Sequence, residues 1–124
     1  MADGQVDPPV QIPGVLHTVN PIANDHFPIY KENTREFTLL HTKEFSDILI
    51  MEVGALLVGK IVNHHVTSNV NRGQEKGYFQ FGGSTVVLLL KAGQAVIDPD
   101  ILLNSQNEIE TVVRYGEKIG TASN

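Results

Sequence analysis

The chain has 124 residues, of which 41% are hydrophobic, and this fits one domain with a modest core. Its formal net charge is −5 and its few basic residues are scattered from Lys31 to Lys118, so no nucleic acid partner is expected. The absence of cysteine excludes disulfides, thiolate zinc sites and a thiol nucleophile.

The sequence predicts no targeting signal and no membrane-spanning segment. Its opening, MADGQVDPP, lacks the basic and apolar regions of a secretory signal. The longest apolar stretch, Ile48 to Val62, contains Glu52 and Lys60 and is shorter than the roughly 20 residues that cross a bilayer. We therefore interpret this stretch as core. The localisation stays open between the cytoplasm and the periphery of a membrane.

The first half of the chain predicts short strands separated by turns. A short edge strand is expected at Val10 to Ile12, and Asn20-Pro21 predicts a turn. The stretches EFTLLHT (Glu36 to Thr42) and ILIMEV (Ile48 to Val53) then predict two strands, joined by a polar loop around Glu44 to Asp47.

In the middle of the chain, glycines favour bent strands over a helix. Gly54 and Gly59 interrupt an apolar run where a helix would prefer alanine, so we expect a bend and a second strand over Leu57 to His64. The polar segment Thr67 to Gly77 predicts a surface loop.

The last third begins with FGGSTVVLLL, Phe81 to Leu90, which predicts a buried strand behind two glycines. A turn at Ala92 to Gln94 ends it. Asp98 as a cap and the proline after it predict one or two helical turns over Asp98 to Ser105.

The final segment, Glu110 to Gly120, allows a strand or a short helix, and Val112-Val113 and Gly116 favour a strand with a turn at Tyr115-Gly116. The predicted fold is mainly β: a compact single domain of short antiparallel strands, sandwich-like or barrel-like, with one short helix.

The step Gly82-Gly83-Ser84 allows a structural and a chemical interpretation. Two glycines before a strand commonly form a bulge or a tight entry, with the serine capping the bend. In a strained peptide, however, a serine hydroxyl can attack the preceding carbonyl, and paired glycines admit positive φ without a side-chain penalty. The resulting ester can eliminate to dehydroalanine, which hydrolyses to a pyruvoyl group. Spacing alone favours the structural interpretation.

Four stretches of the sequence resemble the pyruvoyl-dependent phosphatidylserine decarboxylases over nearly the whole chain. They are HTVNPIA (His17 to Ala23), IYKENTREF (Ile29 to Phe37), MEVGALLVGKI (Met51 to Ile61) and GQEKGYFQFGGSTVVLLL (Gly73 to Leu90). Their order and spacing match, and the last is highly specific, because its Gly-Ser bond corresponds to the self-cleavage point of the family. The resemblance therefore favours the chemical interpretation of Ser84.

The resemblance implies cleavage between Gly83 and Ser84 into a β chain of residues 1–83 and an α chain of residues 84–124. Ser84 would become the pyruvoyl cofactor, which forms a Schiff base with phosphatidylserine and accepts electrons while CO₂ leaves, giving phosphatidylethanolamine. A related pyruvoyl-dependent amino-acid decarboxylase is the alternative for the substrate. The implied partners are the substrate and the chain's own second fragment, and a homo-oligomer is left open.

The family also carries an upstream aspartate and a His-x-Pro-x-x-Gly segment, which with the serine complete an Asp-His-Ser arrangement. Here Asp3-Gly4 corresponds to the tail of that segment. The resemblance therefore implies a domain over residues 1–124 that is truncated at its N-terminus, lacking the base and the part of the family that contacts membranes. A non-catalytic family member, acting as a binding module, is the alternative function.

The histidines of this sequence do not match the missing base. His17, His26, His41, His64 and His65 are expected in solvent-facing or hydrogen-bonded structural roles. Adjacent residues of a strand point to opposite faces, so His64 and His65 are a poor metal site, and no metal is predicted. Asp25-His26 is interpreted as a turn and Glu75 as a charge on a loop.

Overall fold

The computed structural model describes residues 2–17, 32–56, 60–64 and 68–123. The described residues form short strands and one α-helix. In chain order the elements are β1 (Gly4–Val6), β2 (Val10–Ile12), β3 (Arg35–Thr42), β4 (Asp47–Val53), β5 (Lys60–Asn63), β6 (Ser68–Val70), β7 (Gly77–Gln80), β8 (Thr85–Leu90), β9 (Ala95–Ile97), α1 (Pro99–Gln106) and β10 (Gly120–Ala122).

A six-stranded antiparallel sheet forms the body of the fold, in the order β6-β1-β3-β4-β8 with β2 also paired to β3. β1 pairs with the last residues of β3 and β2 with its first residues, so the two short strands lie end to end along one edge of β3. β5 pairs with β7, and β9 with β10, in two separate antiparallel pairs.

The covered face of the six-stranded sheet changes from apolar at one end to polar at the other. Its apolar end holds the core, in which Val6, Leu40, Ile48 and Ile50 are buried and Leu88 and Leu90 pack against them. Burial of each such side chain stabilises the fold by about 1.5–3 kcal/mol. Because side chains alternate along a strand, the same face continues to Glu36 on β3 and Glu52 on β4, which lie opposite each other.

Helix α1 begins where the sequence predicts. Asp98 occupies the N-cap position with extended backbone, and Pro99 follows it as the first helical residue. The carboxylate of Asp98 does not cap the helix, however. It pairs with Lys118 at 3.0 Å, and no side-chain cap hydrogen bond forms.

The mainly β fold of antiparallel strands with one helix is confirmed for the described residues, in which the sheets do not close into a barrel. Strands are confirmed at β2, β3 and β4. The predicted strand over Leu57 to His64 is confirmed as β5, while residues 57–59 lie outside the described residues, as do the predicted turns at Asn20-Pro21 and Asp25-His26.

Three predictions are corrected. The segment Thr67 to Gly77 is a loop only in part, because Ser68–Val70 forms β6 against β1. β8 is an edge strand rather than a buried one, with Leu89 54% exposed, because it pairs only with β4 among the described strands. The turn at Tyr115-Gly116 forms, but residues 110–114 are not a strand, and pairing starts only at Gly120.

Candidate functional site

The turn that precedes β8 is the candidate site. Phe81 and Gly82 both have positive φ, at 71° and 141°. A side chain at positive φ costs roughly 1–3 kcal/mol, and Phe81 adopts this conformation although it is 81% exposed. Gly82 supplies the second unusual conformation without that cost. The chain therefore enters Gly83-Ser84 from a turn in which backbone strain is concentrated.

The hydroxyl of Ser84 is fixed to the neighbouring strand. It donates a hydrogen bond to the carbonyl oxygen of Val53, at the end of β4. The ladder between β4 and β8 contains six residue pairs and ends with Val53 opposite Thr85, so Ser84 lies one residue beyond the last pair. The described residues hold the partly buried serine at the mouth of β8, next to the strained turn.

Asn33 fixes the backbone that follows Val53. It is fully buried, and its Nδ2 donates to the carbonyl oxygen of Gly54 at 2.8 Å and to that of His17 at 2.9 Å. Its Oδ1 accepts from the backbone N–H of His17 at 2.9 Å. A buried amide satisfied in this way ties three segments together, so the acceptor of the Ser84 hydroxyl is a rigid position.

A buried polar cluster lies on the covered face beside this turn. Lys76 donates from Nζ to Oε1 of Glu52 at 2.6 Å and to Oδ1 of Asn63 at 2.5 Å. Asn63 in turn donates from Nδ2 to Glu36, whose other oxygen accepts from Nε2 of Gln11 at 3.1 Å. The cluster joins β2, β3, β4 and β5 with the residue before β7, and Asn63 links the Lys76–Glu52 ion pair to the second carboxylate, Glu36.

A cavity of about 210 Å³ separates the pair β5–β7 from the six-stranded sheet. Its wall combines the polar side chains of Glu52, Asn63 and Lys76 with the apolar ones of Ile50, Ile61, Phe79 and Val86. A larger cavity of about 560 Å³ lies over the apolar end of the sheet, where Leu40, Ile48 and Leu90 line it.

The described histidines are hydrogen-bonded or lie near carboxylates. His41 contacts Asp47 at 2.8 Å and Asp7 at 3.1 Å, and these hydrogen bonds, that of Asp47 first, raise the pKa of the imidazole above 6.5. The same bond to His41, and then Lys91, lowers the pKa of Asp47. His64 contacts Glu75 at 2.7 Å, and His17 lies 3.9 Å from Glu32.

Of the predicted site residues, Ser84 is bonded to Val53, and Gly83 precedes it with open space around the position of a Cβ. No ionisable side chain of the described residues bonds the Ser84 hydroxyl. The backbone of His17 is brought near the end of β4 by its contacts with Asn33 and by the N–H of Leu56, which donates to the His17 carbonyl oxygen at 2.9 Å. His26 and His65 lie outside the described residues.

Sequence reasoning missed the buried cluster, although its signal was present. Glu52 interrupts an apolar strand, and Glu36 occupies one of the alternating core-facing positions of the preceding strand. In two neighbouring antiparallel strands, two such charges on one face indicate a buried polar site. The acceptor role of the Val53 carbonyl had no sequence signal, because every residue carries such a carbonyl.

Fold and site together define an antiparallel β domain with a strained glycine turn and a serine at the mouth of an edge strand. A sequence profile of the phosphatidylserine decarboxylase family matches residues 1–121, and the chain belongs to this family.

Curated relatives agree with the family match. The chain is 49% identical over 118 residues to phosphatidylserine decarboxylase proenzyme 2 of Clostridium acetobutylicum, covering 95% of this chain and 40% of the relative. It is 44% identical over 124 residues to the phosphatidylserine decarboxylase proenzyme of Fusobacterium nucleatum, covering 98% and 41%. That of Clostridium novyi is 42% identical over 121 residues, covering 96% and 41%.

The chain thus spans about two fifths of the length of the curated relatives it matches. No solved structure matches it significantly. In the part of the chain that the structure describes, no helix has the length and apolar character needed to cross a bilayer.

Proposed function

We propose that this chain is the serine-bearing part of a pyruvoyl-dependent phosphatidylserine decarboxylase, in which cleavage at Gly83-Ser84 converts Ser84 into the cofactor. The observation that carries the proposal is the turn itself, with positive φ at Phe81 and Gly82 directly before a tethered serine. The name proenzyme, shared by the relatives, supports a maturation step of this kind.

The proposed maturation takes place in three chemical steps. Oγ of Ser84 attacks the Gly83 carbonyl carbon, and the amide C–N bond breaks to leave an ester and a free amine on Ser84. Loss of the Cα proton and of the ester oxygen from Cβ releases Gly83 as a carboxylate and leaves dehydroalanine. Water then replaces the nitrogen, which departs as ammonia, and the new N-terminus is a ketone. One water is consumed and one ammonia released for each chain.

The residues around Ser84 fit such a group. A Cβ built on Gly83 meets nothing within 4 Å, so there is space beside the bond that would be cut. Ser84 is partly buried, which shelters the new end while leaving it reachable. A pyruvoyl group supplies an electron sink that stabilises the carbanion formed when a carboxylate leaves.

The sheet would keep the two fragments together. β8 follows the proposed cut directly and is held to β4 by six residue pairs. Asp47 on β4 also binds Lys91, just after β8, at 3.3 Å. Residues before and after the cut would therefore stay in one fold, and the second fragment is a proposed partner of the first.

The substrate is proposed to be phosphatidylserine, because the relatives are phosphatidylserine decarboxylase proenzymes. A bilayer lipid as substrate requires contact with the membrane surface, so a peripheral membrane location is part of the proposal.

A second candidate, a non-catalytic binding module, is favoured by a different observation. The Ser84 hydroxyl donates to a backbone carbonyl, and a carbonyl oxygen is no general base. In this arrangement the serine is oriented but not deprotonated. The bond between Gly83 and Ser84 would then stay intact.

Intact-mass measurement separates the two candidates. The purified chain is compared alone and after mixing with the remaining part of the Clostridium acetobutylicum relative, with Ser84→Ala as the control. The decarboxylase predicts two fragments whose masses sum to the chain plus one water minus one ammonia, and a ketone trapped by a hydrazine. A single uncut mass under both conditions supports the binding module. Release of CO₂ from phosphatidylserine, but not from free serine, tests the substrate.

A further inference from the structure

The larger cavity lies directly over the core of the six-stranded sheet. Its floor consists of apolar side chains from the neighbouring strands β3, β4 and β8, namely Leu40, Ile48, Leu88 and Leu90. Its volume is about 560 Å³, whereas folded interiors are close-packed and contain few voids larger than a water molecule. The apolar face of a sheet is stable when another layer packs on it, so this floor has the character of a packing surface.

A side wall of the cavity comes from the last part of the chain. Ala95 and Ile97 of β9 line it, together with Ile119 and the turn that contains Tyr115. The hydroxyl of Tyr115 donates to the carbonyl oxygen of Gly73 at 3.3 Å, which ties this wall to the loop before β7. The wall therefore has a defined position beside the floor.

Apolar side chains on this wall are exposed. Ile97 is 39% exposed, and Ile119 and Tyr115 are exposed as well. Helix α1 begins two residues after Ile97 and has no buried residue, although a surface helix commonly packs an apolar stripe against its domain. Exposed apolar surface that extends over several elements marks an interaction site larger than one small molecule.

The rim of the cavity is polar and carries charges of both signs. The charged rim residues are Arg72, Glu75, Lys76, Glu117 and Lys118. The three cations already pair with carboxylates of this chain, so an anionic ligand would have to compete for them. An apolar centre inside a polar rim is the usual anatomy of a protein–protein interface.

The family match indicates which polypeptide fits this surface. The chain covers only 40–41% of the three relatives, so more than half of each relative lies outside the matched part. A second copy of the chain fits less well. A two-fold contact brings the same surface together from both copies, and two concave surfaces cannot fill each other.

We propose that the larger cavity is the surface on which the remaining part of the proenzyme packs, with an apolar segment of that part against Leu88, Leu90 and Ile97. This packing requires neither cleavage at Ser84 nor decarboxylation. Leu90 lies six residues beyond Ser84 on β8, which at roughly 3.4 Å per residue places it about 20 Å from the proposed cut. The packing surface and the cleavage site can therefore be altered separately.

The first test compares one substitution in two contexts. The isolated chain is compared with a chimera in which it replaces the matched part of the Clostridium acetobutylicum relative, and both carry Ser84→Ala so that neither is cut. Ile97→Glu should hardly change the urea midpoint of the isolated chain, because Ile97 is exposed there. In the chimera the same charge would be buried without a partner, so the midpoint should fall clearly. Equal shifts in the two contexts would overturn the proposal.

Val96→Glu is the matched control for Ile97→Glu. Val96 is the preceding residue of β9, is 57% exposed and does not line the cavity, because successive side chains of a strand point to opposite sides. Its substitution should have the same small effect in both contexts. A loss in the chimera as large as that of Ile97→Glu would contradict packing into the cavity.

Co-expression tests the contact directly. The chain is produced together with a tagged form of the part of the Clostridium acetobutylicum relative that lies outside the match, and the captured complex is weighed by light scattering. We expect a one-to-one complex with the parent chain and with Val96→Glu, and at least about ten-fold less complex with Ile97→Glu. No complex, or a complex that Ile97→Glu leaves intact, would refute the proposal.

Other occupants of the cavity predict different results. A second copy predicts that the isolated chain is a dimer and that Ile97→Glu makes it a monomer. A small apolar ligand predicts that an apolar dye binds the isolated chain and stays bound after the second part is added. Either result counts against the proposal, which predicts a monomer whose bound dye is released by the second part.

The proposed function and this packing surface fail separately. Cleavage at Ser84 in the intact-mass experiment, with no effect of Ile97→Glu on binding, would retain the decarboxylase and remove the packing surface. Binding that depends on Ile97, without cleavage at Ser84, would support the packing surface and remove the decarboxylase.

Discussion

Ser84 and Val53 are joined across the last step of two neighbouring strands, the serine hydroxyl donating to the carbonyl oxygen of Val53. Asn33 fixes the adjoining Gly54, so this acceptor does not move freely. The hydroxyl is consequently held in one place while the turn before it carries the strain. The proposed processing of Ser84 would begin by breaking this bond to a non-basic acceptor.

Ser84→Ala tests the energy of that contact. Loss of one partly buried hydrogen bond should lower the free energy of unfolding of the uncut chain by about 1 kcal/mol. Urea unfolding followed by circular dichroism measures the change. Ser105→Ala, at an exposed site on α1, is the control and should leave stability nearly unchanged. Equal effects of the two substitutions would show that the Val53 contact contributes nothing.

Alanine substitutions at Gly82 and Gly83 should lower the free energy of unfolding by different amounts. Gly82 has φ of 141°, which alanine rarely adopts, so Gly82→Ala should destabilise the chain by about 1–3 kcal/mol. Gly83 has open space around a built Cβ, and Gly83→Ala should cost about 0.5 kcal/mol or less. Paired urea midpoints measure both. A larger loss of stability for Gly83→Ala than for Gly82→Ala would show that the backbone strain does not lie at Gly82.

The contact between His41 and Asp47 should make stability depend on pH. Because the pKa of His41 is raised, its contribution is complete below about pH 6.5 and is lost as the pH rises through the raised value. The pKa of Asp47 is lowered, so its contribution is present above pH 3.8 and is lost as the pH falls through the lowered value. Both contributions are present between these limits.

His41→Gln should therefore lower stability most near pH 5 to 6, with a deficit that shrinks by about pH 9 as the imidazole of the parent chain loses its proton. Urea midpoints over this range measure the deficit. Asp47→Asn should flatten the same profile, while Glu44→Gln, at a separate ion pair, should not. A deficit independent of pH would refute the assigned titration.

The buried pair of Lys76 and Glu52 should matter more than the exposed ion pairs. Lys76→Met leaves the Glu52 carboxylate, whose side chain is 9% exposed, without its cation. Because the lysine side chain itself is 22% exposed, the loss should be about 1–3 kcal/mol of unfolding free energy, below that of a fully buried pair. Adding Glu52→Gln removes the stranded charge and should recover most of that loss. A double-mutant cycle measures the coupling. Additive losses would indicate that the two side chains do not interact.

The core at the apolar end of the sheet should respond as a packed interior. Leu40 is 2% exposed, so Leu40→Ala should cost about 2–5 kcal/mol. Leu103 on α1 is 59% exposed, and Leu103→Ala should change stability by about 0.5 kcal/mol or less. The comparison is made by urea unfolding at one pH. Similar losses at the two positions would contradict the assignment of the core.

Local patterns predicted much of the fold. Alternating apolar residues located β3 and β4, the run after Ser84 located β8, and the order Asp98-Pro99 located the start of α1. Each signal depends on neighbouring residues alone, which is why it can be recognised without the fold. The strand predicted over residues 110–114 did not form, because β propensity is realised only where a partner strand is available.

By itself the sequence determined the β character of the chain, the glycine-serine step and the resemblance that led to the family, since composition, periodicity and motif spacing are properties of the linear chain. Only the tertiary structure decided which groups meet: the Val53 carbonyl at Ser84, Asp7 at His41, and Lys76 between Asn63 and Glu52. These contacts join residues 13 to 34 positions apart. Strand register brings them together, and register is set by how whole strands pack against one another.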